Sequence, residues 1–263
     1  MALSIDLSHK RALVTGVSSG IGVGIAATLA EAGCDVAGCG MEAEASAGAR
    51  NFLAEATGRG RRAFYQSVDL TEAEATRAFV ERAAAQLGGL DLVISNAGRN
   101  YNLGAAHTTE ADWRANADLN LAAHWRVAQA AYPYLQQSSS PVVIIIASNH
   151  AYYTLPNSFP YNVAKAGLLA LVQSLALEWG PKVRAVGVAP GFVDTAMNVE
   201  WFGRFPDPVA KRAQIVALHP AGRLGTPTDI GALCAYLCSP LAGYITGTTI
   251  LIDGGRGAVM QDA

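Results

Sequence analysis

The stretch KRALVTGVSSGIGVGIAATLAEAG, residues 10–33, decides the fold. It opens with KRALVT, an apolar run of strand length, and Ile21 to Ala32 has the composition of a helix. Between the two stand Gly16, Gly20 and Gly22. A glycine-rich turn at such a junction lets the backbone approach a pyrophosphate, and it points the helix N-terminus at the negative charge. The stretch therefore predicts the start of a dinucleotide-binding fold.

Strand-like and helical stretches continue to alternate after this junction. Strands are predicted at residues 34–39, 63–68, 90–95, 142–147, 183–189 and 248–253, and helices at about 42–57, 72–87, 109–135, 158–179 and 228–238. The strands are continuous runs rich in Val, Ile and Leu, which is typical of a parallel sheet whose faces are both covered by helices. Short β–α connections favour right-handed crossovers. The pattern predicts an α/β fold with a doubly wound parallel sheet.

The domain organisation follows from length and from one interruption. The chain has 263 residues, which fits one large α/β domain over residues 1–263. Residues 191–218 are aromatic, contain prolines and break the alternation. A long excursion after a strand is more often a lid over a site than a second domain. We therefore expect a substrate lid at about residues 191–218.

Composition excludes several classes of protein. Hydrophobic residues make up 51% of the chain, charged residues make up 15%, and the net charge is −2. Such a chain is too apolar to be disordered and lacks the basic excess of a nucleic-acid binder. No apolar run reaches the roughly 18 residues of a membrane span, and no secretory signal is visible. The four cysteines form no metal-binding pattern, so we expect no metal site. Together, the composition and the short apolar runs predict a soluble, cytoplasmic protein.

The end of the second predicted strand bears on the choice of coenzyme. An acidic residue at this point bonds the 2′-hydroxyl of an adenosine ribose, whereas a basic residue neutralises a 2′-phosphate. The chain has Gly40 and Met41 here, with Glu42 beside them and Ser19 in the glycine turn. It offers no clear acidic partner and no local Arg or Lys. A 2′-phosphate dianion without a neighbouring cation loses more binding free energy than a 2′-hydroxyl that lacks one hydrogen bond, and Glu42 would repel the phosphate. NAD is therefore favoured over NADP.

A second group of residues indicates proton-transfer chemistry. Tyr161 and Lys165 are four apart on a predicted helix and so share a face. A free tyrosine has a pKa near 10, and using its phenolate at pH 7 costs about 4 kcal/mol. A neighbouring ammonium reduces that cost. Ser148 follows the fifth strand at the sheet edge where open α/β folds bind ligands, and its hydroxyl could donate to a developing alkoxide.

These motifs together carry a resemblance to a known family. The chain contains TGVSSGIG, SNAG at residues 95–98, Asn120 in DLNL, Ser148 thirteen residues before Tyr161, YNVAK, and PGFVDT at residues 190–195. Their order and spacing resemble those of the classical short-chain dehydrogenase/reductase family, from about Arg11 to Gly255. SNAG replaces the commoner NNAG, and Asn149 and His150 follow Ser148 where small residues are more usual.

The resemblance implies a single Rossmann-type domain of about seven parallel strands, flanked by helices on both faces and usually assembled as a homotetramer. It implies hydride transfer between a nicotinamide and an alcohol or carbonyl carbon, with NAD or NADP as coenzyme. Tyr161 would be the general acid and base, and Ser148 would orient the substrate oxygen. Lys165 would hold the nicotinamide ribose and lower the pKa of Tyr161, and Asn120 would hold a water in a proton relay.

The resemblance also predicts the residues that line the coenzyme site. Those after the first three strands are Gly16, Ser18, Ser19, Gly20, Ile21, Gly22, Gly40, Met41, Asp69 and Leu70. Those after later strands are Asn96, Ala97, Gly98, Pro190, Gly191, Val193 and Thr195, together with Tyr161 and Lys165. Asp69 and Leu70 match the pair that lies against adenine.

Substrate choice depends on polar residues next to this tetrad. Arg99, Asn149 and His150, with Phe192 and Trp201 from the predicted lid, are the candidates for substrate contact. Buried polar groups need partners, which a hydroxyl-rich or anionic ligand would supply. We therefore favour a dehydrogenase of a sugar, polyol or sugar acid. The alternatives are an NADPH-dependent reductase of 3-oxoacyl or other ketone substrates, and a dinucleotide-binding protein without turnover.

Overall fold

The computed structural model describes residues 4–259, and a parallel sheet of seven strands lies at its centre. The strands are β1 (Arg11–Thr15), β2 (Asp35–Gly40), β3 (Ala63–Ser67), β4 (Leu92–Ser95), β5 (Val142–Ile146), β6 (Arg184–Pro190) and β7 (Thr249–Ile252). They are arranged in the order β3-β2-β1-β4-β5-β6-β7, and every neighbouring pair is parallel. The strand order reverses between β1 and β4, which is where such sheets bind ligands.

Helices cover both faces of the sheet. They are α1 (Gly20–Glu31), α2 (Ala47–Gly58), α3 (Ala73–Leu87), α4 (Glu110–Ala117), α5 (Ala123–Leu135), α6 (Tyr161–Trp179), α7 (Ala196–Phe202), α8 (Pro208–Ala217) and α9 (Pro227–Cys238). Consecutive strand residues point to opposite faces, so Val14 packs with α1, α2 and α9 while Leu13 packs with α3, α5 and α6. The predicted doubly wound sheet is confirmed. Within residues 4–259, none of the helices combines the length and the apolar character that a bilayer crossing requires.

The interior strands explain the unbroken apolar runs in the sequence. All five residues of β5 are buried, and Ile144 and Ile145 are 0% exposed although they point in opposite directions. Alternation of polar and apolar residues would place polar side chains in one of the two cores. β5 is therefore rigidly held, and the chain that leaves its carboxyl end starts from a fixed position.

Several helix boundaries differ from the sequence-based ones. The helix expected from about residue 42 begins at Ala47, because the Ser46 side chain caps it by accepting a hydrogen bond from the Ala49 amide. The excursion after β6 contains α7 and α8. The start of α8 has the usual sequence signature of a helix N-terminus, since Asp207 caps the helix and Pro208 occupies its first turn.

Candidate active site

The glycine turn between β1 and α1 has the conformation that its composition predicts. Gly16 and Gly20 have φ angles of +73° and +63°, which favour glycine. A Cβ at Gly22 would overlap the carbonyl oxygen of Gly16. The turn is therefore closed so tightly that no side chain fits at Gly22, and its residues fit a pyrophosphate at the N-terminus of α1.

Residues after β4 brace this turn. The Thr15 hydroxyl accepts hydrogen bonds from the amides of Asn96 and Ala97, at 2.8 and 2.9 Å. The Asn96 side chain donates to the Thr15 carbonyl at 2.9 Å. Gly98 lies against Asn120, since a Cβ at Gly98 would be 2.6 Å from Asn120 Oδ1. Asn96, predicted to lie at the coenzyme, thus uses its side chain to fix the phosphate turn.

The segment after β6 faces the same turn from the other side. Thr195 is the residue nearest to a Cβ built at Gly20, with its methyl group 3.9 Å away. Gly191 is packed against Asp253, and Val193 is 3% exposed and bridged to Gly225. The cleft between the glycine turn and Thr195 lies at the carboxyl ends of β1 and β6. Pro190, Gly191, Val193 and Thr195 therefore line one wall of the predicted coenzyme site or support it.

The predicted adenosine end is formed by residues after β2 and β3. Met41 is 69% exposed and Leu70 is buried. The Asp69 carboxylate accepts hydrogen bonds from the amide and hydroxyl of Thr71, at 2.9 and 2.7 Å, so it holds the turn into α3. Sequence reasoning found no clear acidic residue here, but the structure places the Glu42 carboxylate directly beside Gly40.

Tyr161, Lys165 and Ser148 come together at the carboxyl end of β5. Tyr161 begins α6, and Lys165 lies one turn later with its Nζ 5.7 Å from the centroid of the phenol ring. Lys165 is buried, and its ammonium donates to the Ile146 carbonyl at 3.0 Å. Ser148 follows β5 directly and is 7% exposed. The spacing seen in the sequence therefore becomes a single cluster of acid, cation and hydroxyl.

Burial controls the protonation of this cluster. It raises the pKa of Tyr161 to about 12, against the opposing effect of the Ser148 hydroxyl. It lowers the pKa of Lys165 to about 7, because the ammonium has lost its hydration without gaining a carboxylate. The phenol is therefore protonated at pH 7, and the lysine is close to its titration midpoint. The phenolate of Tyr161 is therefore costly to form at pH 7, and proton transfer through it requires a neighbouring positive charge or hydrogen-bond donor that favours the ionised form.

Asn120 lies in a π-helical turn, Asp118–Ala122, that joins α4 to α5. Its side-chain amide donates to the Arg99 carbonyl at 2.8 Å and to Asn116 Oδ1 at 2.9 Å, and its oxygen accepts from the Arg99 amide. Asn116 in turn donates to the Pro160 carbonyl at 3.0 Å, just before Tyr161. The side chain of Asn120 thus connects the loop after β4 to the start of α6. Sequence reasoning missed Asn116, although it stands one helical turn before Asn120.

A buried pair of side chains accounts for the unusual serine of SNAG. Ser95 Oγ and His124 Nδ1 are 2.8 Å apart, and both residues are buried. Burial and the nearby charge of Lys165 hold the pKa of His124 well below its usual value, so the imidazole is neutral. His124 follows Asn120 by four residues on the same face of the helix, which was the available signal for this pair.

The candidate substrate residues surround the cluster on its open side. His150 lies edge-on to Tyr161 with 5.9 Å between ring centroids, and its Nδ1 is 3.3 Å from Thr154 Oγ1. Burial lowers the pKa of His150, which favours the neutral imidazole. Asn149 Oδ1 accepts from the Ser148 hydroxyl at 3.3 Å. Arg99 is exposed, with its guanidinium 4.7 Å from the Tyr101 ring centroid. Asn149 and His150 are therefore adjacent to the predicted reacting groups, and Arg99 lies at the rim.

The aromatic residues of the 191–218 segment pack mainly on one another. Phe192 lies 5.5 Å from Trp201, and Trp201 lies 4.8 Å from Phe205, between ring centroids. Asn100 Nδ2 approaches Met197 Sδ at 3.5 Å, which links α7 to the loop after β4. The contacts of Phe192 and Trp201 are thus internal to this segment, and the segment sits over the rim that carries Arg99.

Comparisons with known proteins show the family to which the chain belongs. Residues 16–256 match the family model described as enoyl-(acyl carrier protein) reductase. The chain is 32% identical to a 3-oxoacyl-[acyl-carrier-protein] reductase of Chlamydia muridarum, covering 95% of this chain and 98% of that protein. It is 29% identical to the 2-dehydro-3-deoxy-D-gluconate 5-dehydrogenase of Escherichia coli, covering 96% and 97%.

A solved structure extends the likeness to three dimensions. The aldohexose dehydrogenase of Thermoplasma acidophilum superposes with a TM-score of 0.88 at 25% identity, covering 98% of each chain. These relatives bear names that refer to acyl and sugar substrates, and all are named as dehydrogenases or reductases. The chain belongs to the short-chain dehydrogenase/reductase family and is a short-chain oxidoreductase.

Proposed function

We propose that this oxidoreductase transfers a hydride between a nicotinamide coenzyme and the carbon of a secondary alcohol or ketone. The observation that carries the proposal is the convergence of Tyr161, Lys165 and Ser148 at the strand ends that also carry the glycine turn. The turn fits a dinucleotide, because the position of a Cβ at Gly22 is filled by the backbone of Gly16 and the turn leads directly into the N-terminus of α1. When bound, the nicotinamide supplies or accepts the hydride.

The protein's own residues handle the proton. In oxidation, the substrate hydroxyl gives its proton to the oxygen of Tyr161 as hydride leaves the carbon, and in reduction the phenol returns it. Ser148 donates a hydrogen bond to the same substrate oxygen and stabilises its developing charge. The rise that burial causes in the pKa of Tyr161 is opposed by the Ser148 hydroxyl, and we assign to the Lys165 ammonium, 5.7 Å from the ring centroid, the further role of favouring the phenolate. Because the Asn120 amide is engaged by Arg99 and Asn116, we assign the relay water to its main-chain carbonyl.

For the substrate we propose a sugar, polyol or sugar acid. Asn149 and His150 bring a side-chain amide and an imidazole to the edge of the reacting cluster, and Arg99 stands at the rim with a guanidinium that suits a carboxylate. A hydroxyl-rich substrate pairs these groups, whereas a long apolar chain leaves them unpaired. A relative named as a sugar-acid dehydrogenase supports this choice. NAD is the proposed coenzyme, with NADP as the alternative.

The experiment that tests the function measures NAD and NADP reduction with a panel of sugars, polyols and sugar acids, and NADPH oxidation with 3-oxoacyl thioesters and hydrophobic ketones. We expect turnover of a member of the first panel with NAD. NADPH-dependent turnover of an acyl thioester alone would establish the reductase alternative, which the Chlamydia relative favours. Coenzyme binding without turnover of either panel would indicate a dinucleotide-binding protein.

The proposed mechanism is tested with Tyr161→Phe on the substrate so identified. We expect turnover to fall by about 10²–10⁴-fold, because the ring keeps its packing while the proton-transferring oxygen is lost. Coenzyme affinity, measured by fluorescence titration, should change little and serves as the control. Turnover near the wild-type rate would show that Tyr161 does not transfer the proton.

Three expectations from the sequence remain predictions. They are the single domain over residues 1–263 with a substrate lid at about 191–218, the homotetramer, and the cytoplasmic location. The contacts of the 191–218 segment support the lid, because α7 touches the loop after β4 through Met197 and Asn100. We expect no nucleic-acid or membrane partner.

A further inference from the structure

A buried histidine that the proposed mechanism does not use lies behind the coenzyme site. His124, at the start of α5, is 1% exposed, and Ser95, the last residue of β4, is 2% exposed. His124 Nδ1 and Ser95 Oγ are 2.8 Å apart. Their hydrogen bond joins the carboxyl end of a central strand to the helix that follows the turn with Asn120.

Two side chains from one helical stretch hold the segment of residues 95–99. At the start of the segment, His124 bonds to Ser95. At its end, the Asn120 side chain accepts from the Arg99 amide at 3.1 Å and donates to the Arg99 carbonyl at 2.8 Å. The backbone between these two anchors is therefore fixed relative to the helical stretch that carries both side chains.

Segment 95–99 lies against the buried lysine of the reacting cluster. A Cβ at Gly98 would be 3.6 Å from Lys165 Nζ. Burial and the charge of Lys165 both hold the pKa of His124 well below its usual value, so the lysine and the imidazole are close enough to interact electrostatically. The two anchors thus set how closely the backbone of the segment approaches the ammonium to which we assign the stabilisation of the Tyr161 phenolate.

Stability alone does not explain an imidazole at this core position. The Nε2 atom of His124 is buried, and it has no hydrogen-bond partner in the part of the chain that the structure describes. A buried polar atom without a partner lowers stability, and an aliphatic side chain would avoid that cost. The neighbouring core residues of the same helix, Ala123 and Val127, are apolar. The bond to Ser95 is the feature that distinguishes His124 from them.

We propose that His124 and Ser95 are positioning residues, whose hydrogen bond holds segment 95–99 against Lys165 and so keeps Lys165 and Tyr161 in the geometry for proton transfer. The inference rests on the proposed function, because proton transfer by Tyr161 is part of it. Both residues are buried behind the segment and act through it. A displacement of about 1 Å in a reacting group can lower a rate about a hundredfold, so a loosened segment should lower kcat.

The test compares the wild type with Ser95→Ala, His124→Leu and the double variant, by steady-state kinetics and urea unfolding. We expect kcat to fall about ten- to a hundredfold in all three variants, with the substrate KM changed less than about threefold. The double variant should lose no more activity than either single variant, because all three lack the same hydrogen bond. Its stability should stay near that of the wild type, since both polar partners are removed together. A double variant with wild-type kcat would overturn the proposal.

Two further variants separate the hydrogen bond from general packing. His124→Asn keeps a hydrogen-bonding atom near the position of Nδ1 and should restore kcat to within about threefold of the wild type. A loss as large as that of His124→Leu would overturn the role of the bond. Ser138→Ala is the matched control for Ser95→Ala, because Ser138 is also 2% exposed and donates to Asp91 at 2.6 Å, at the opposite end of the sheet. It should lower stability and leave kcat unchanged, and an equal fall in kcat would contradict a specific role for Ser95.

Hydrogen exchange measured by mass spectrometry tests the anchor without a substrate. Peptides that span residues 95–99 should exchange faster in Ser95→Ala and His124→Leu than in the wild type, and at the wild-type rate in Ser138→Ala. Wild-type protection of these peptides in every variant would overturn the anchoring role of the bond. Faster exchange in a protein whose wild type turns over no substrate would support the anchor and would instead overturn the proposed function.

Discussion

Lys165 shows how the burial of one residue makes the stability of the protein depend on pH. Its ammonium is buried with one protein hydrogen bond, to Ile146, and burial lowers its pKa to about 7 from an ordinary value of 10.5. Between these two pKa values the unfolded chain binds a proton that the folded chain has released. The stability of the coenzyme-free protein should therefore rise with pH from about 7 upward, by up to about 1.4 kcal/mol per pH unit for this group alone.

Lys165→Met tests this linkage. Urea unfolding of the wild type and the variant at pH 7.0, 7.75 and 8.5, without coenzyme, should show a smaller pH slope in the variant. The difference between the two slopes isolates Lys165, because other titrating groups are common to both proteins. Parallel slopes would mean that the ammonium is solvated in the folded state. Methionine is unbranched and only one atom shorter than lysine, and a packing change would alter stability equally at each pH, so it is not expected to imitate the effect on the slope.

The helical stretch from Glu110 to Leu135 shows how an element positions the site. α4, the π turn and α5 follow one another without a break, and Asn116 in α4 connects Asn120 to the Pro160 carbonyl. Asn116→Ala removes both bonds, although Asn120 keeps its bond to the Arg99 carbonyl and the Pro160 carbonyl keeps the amides of Val163 and Ala164. We expect a loss of about 1–3 kcal/mol in the free energy of unfolding, and a lower kcat because the start of α6 loses its anchor.

Glu110→Ala on the same element is the control for that loss. Glu110 forms an exposed ion pair with Arg114, and its removal should change stability by less than about 0.5 kcal/mol. Urea unfolding and steady-state kinetics on both variants provide the comparison. If Asn116→Ala unfolds like the control, the bond to Pro160 does not hold α6 in solution.

The elements also show how far sequence reasoning reaches. Apolar runs and the glycine turn predicted the sheet, because strand length and composition follow from burial on both faces. Helix spacing and the end of the fifth strand predicted where Tyr161, Lys165 and Ser148 lie. Asn116 and the Ser95–His124 pair were not predicted as site features. Each depends on a contact between two elements: Asn116 in α4 reaches the Pro160 carbonyl before α6, and His124 in α5 reaches Ser95 in β4. Spacing along one helix indicates that Asn116 and His124 lie near Asn120, but it does not identify their partners in other elements.

At the scale of the whole molecule, we single out two of the places where apolar side chains remain exposed. Trp125 is 45% exposed on α5, beside a groove of about 400 Å³ that also includes Arg126, Pro133 and Tyr134. Leu177, at the end of α6, is 84% exposed, and Tyr244 is 102% exposed. Large contiguous apolar patches mark interaction sites, whereas single exposed apolar residues are ordinary. A tetramer with dihedral symmetry requires two distinct faces, and we predict that these two form the interfaces of the expected homotetramer.

Trp125→Glu should disrupt the predicted interface at α5 and leave the predicted interface at Leu177 and Tyr244 intact. The carboxylate would be desolvated against its own copy across a twofold axis, so we expect a particle of half the wild-type mass in light scattering. Val209→Glu, on α8 at an 80% exposed position outside both faces, should leave the mass unchanged. A wild type that is already monomeric would refute the tetramer, and a tetrameric Trp125→Glu would show that the α5 face is not an interface. Circular dichroism on both variants distinguishes dissociation from unfolding, because a folded dimer keeps the helices that cover the two faces of the sheet.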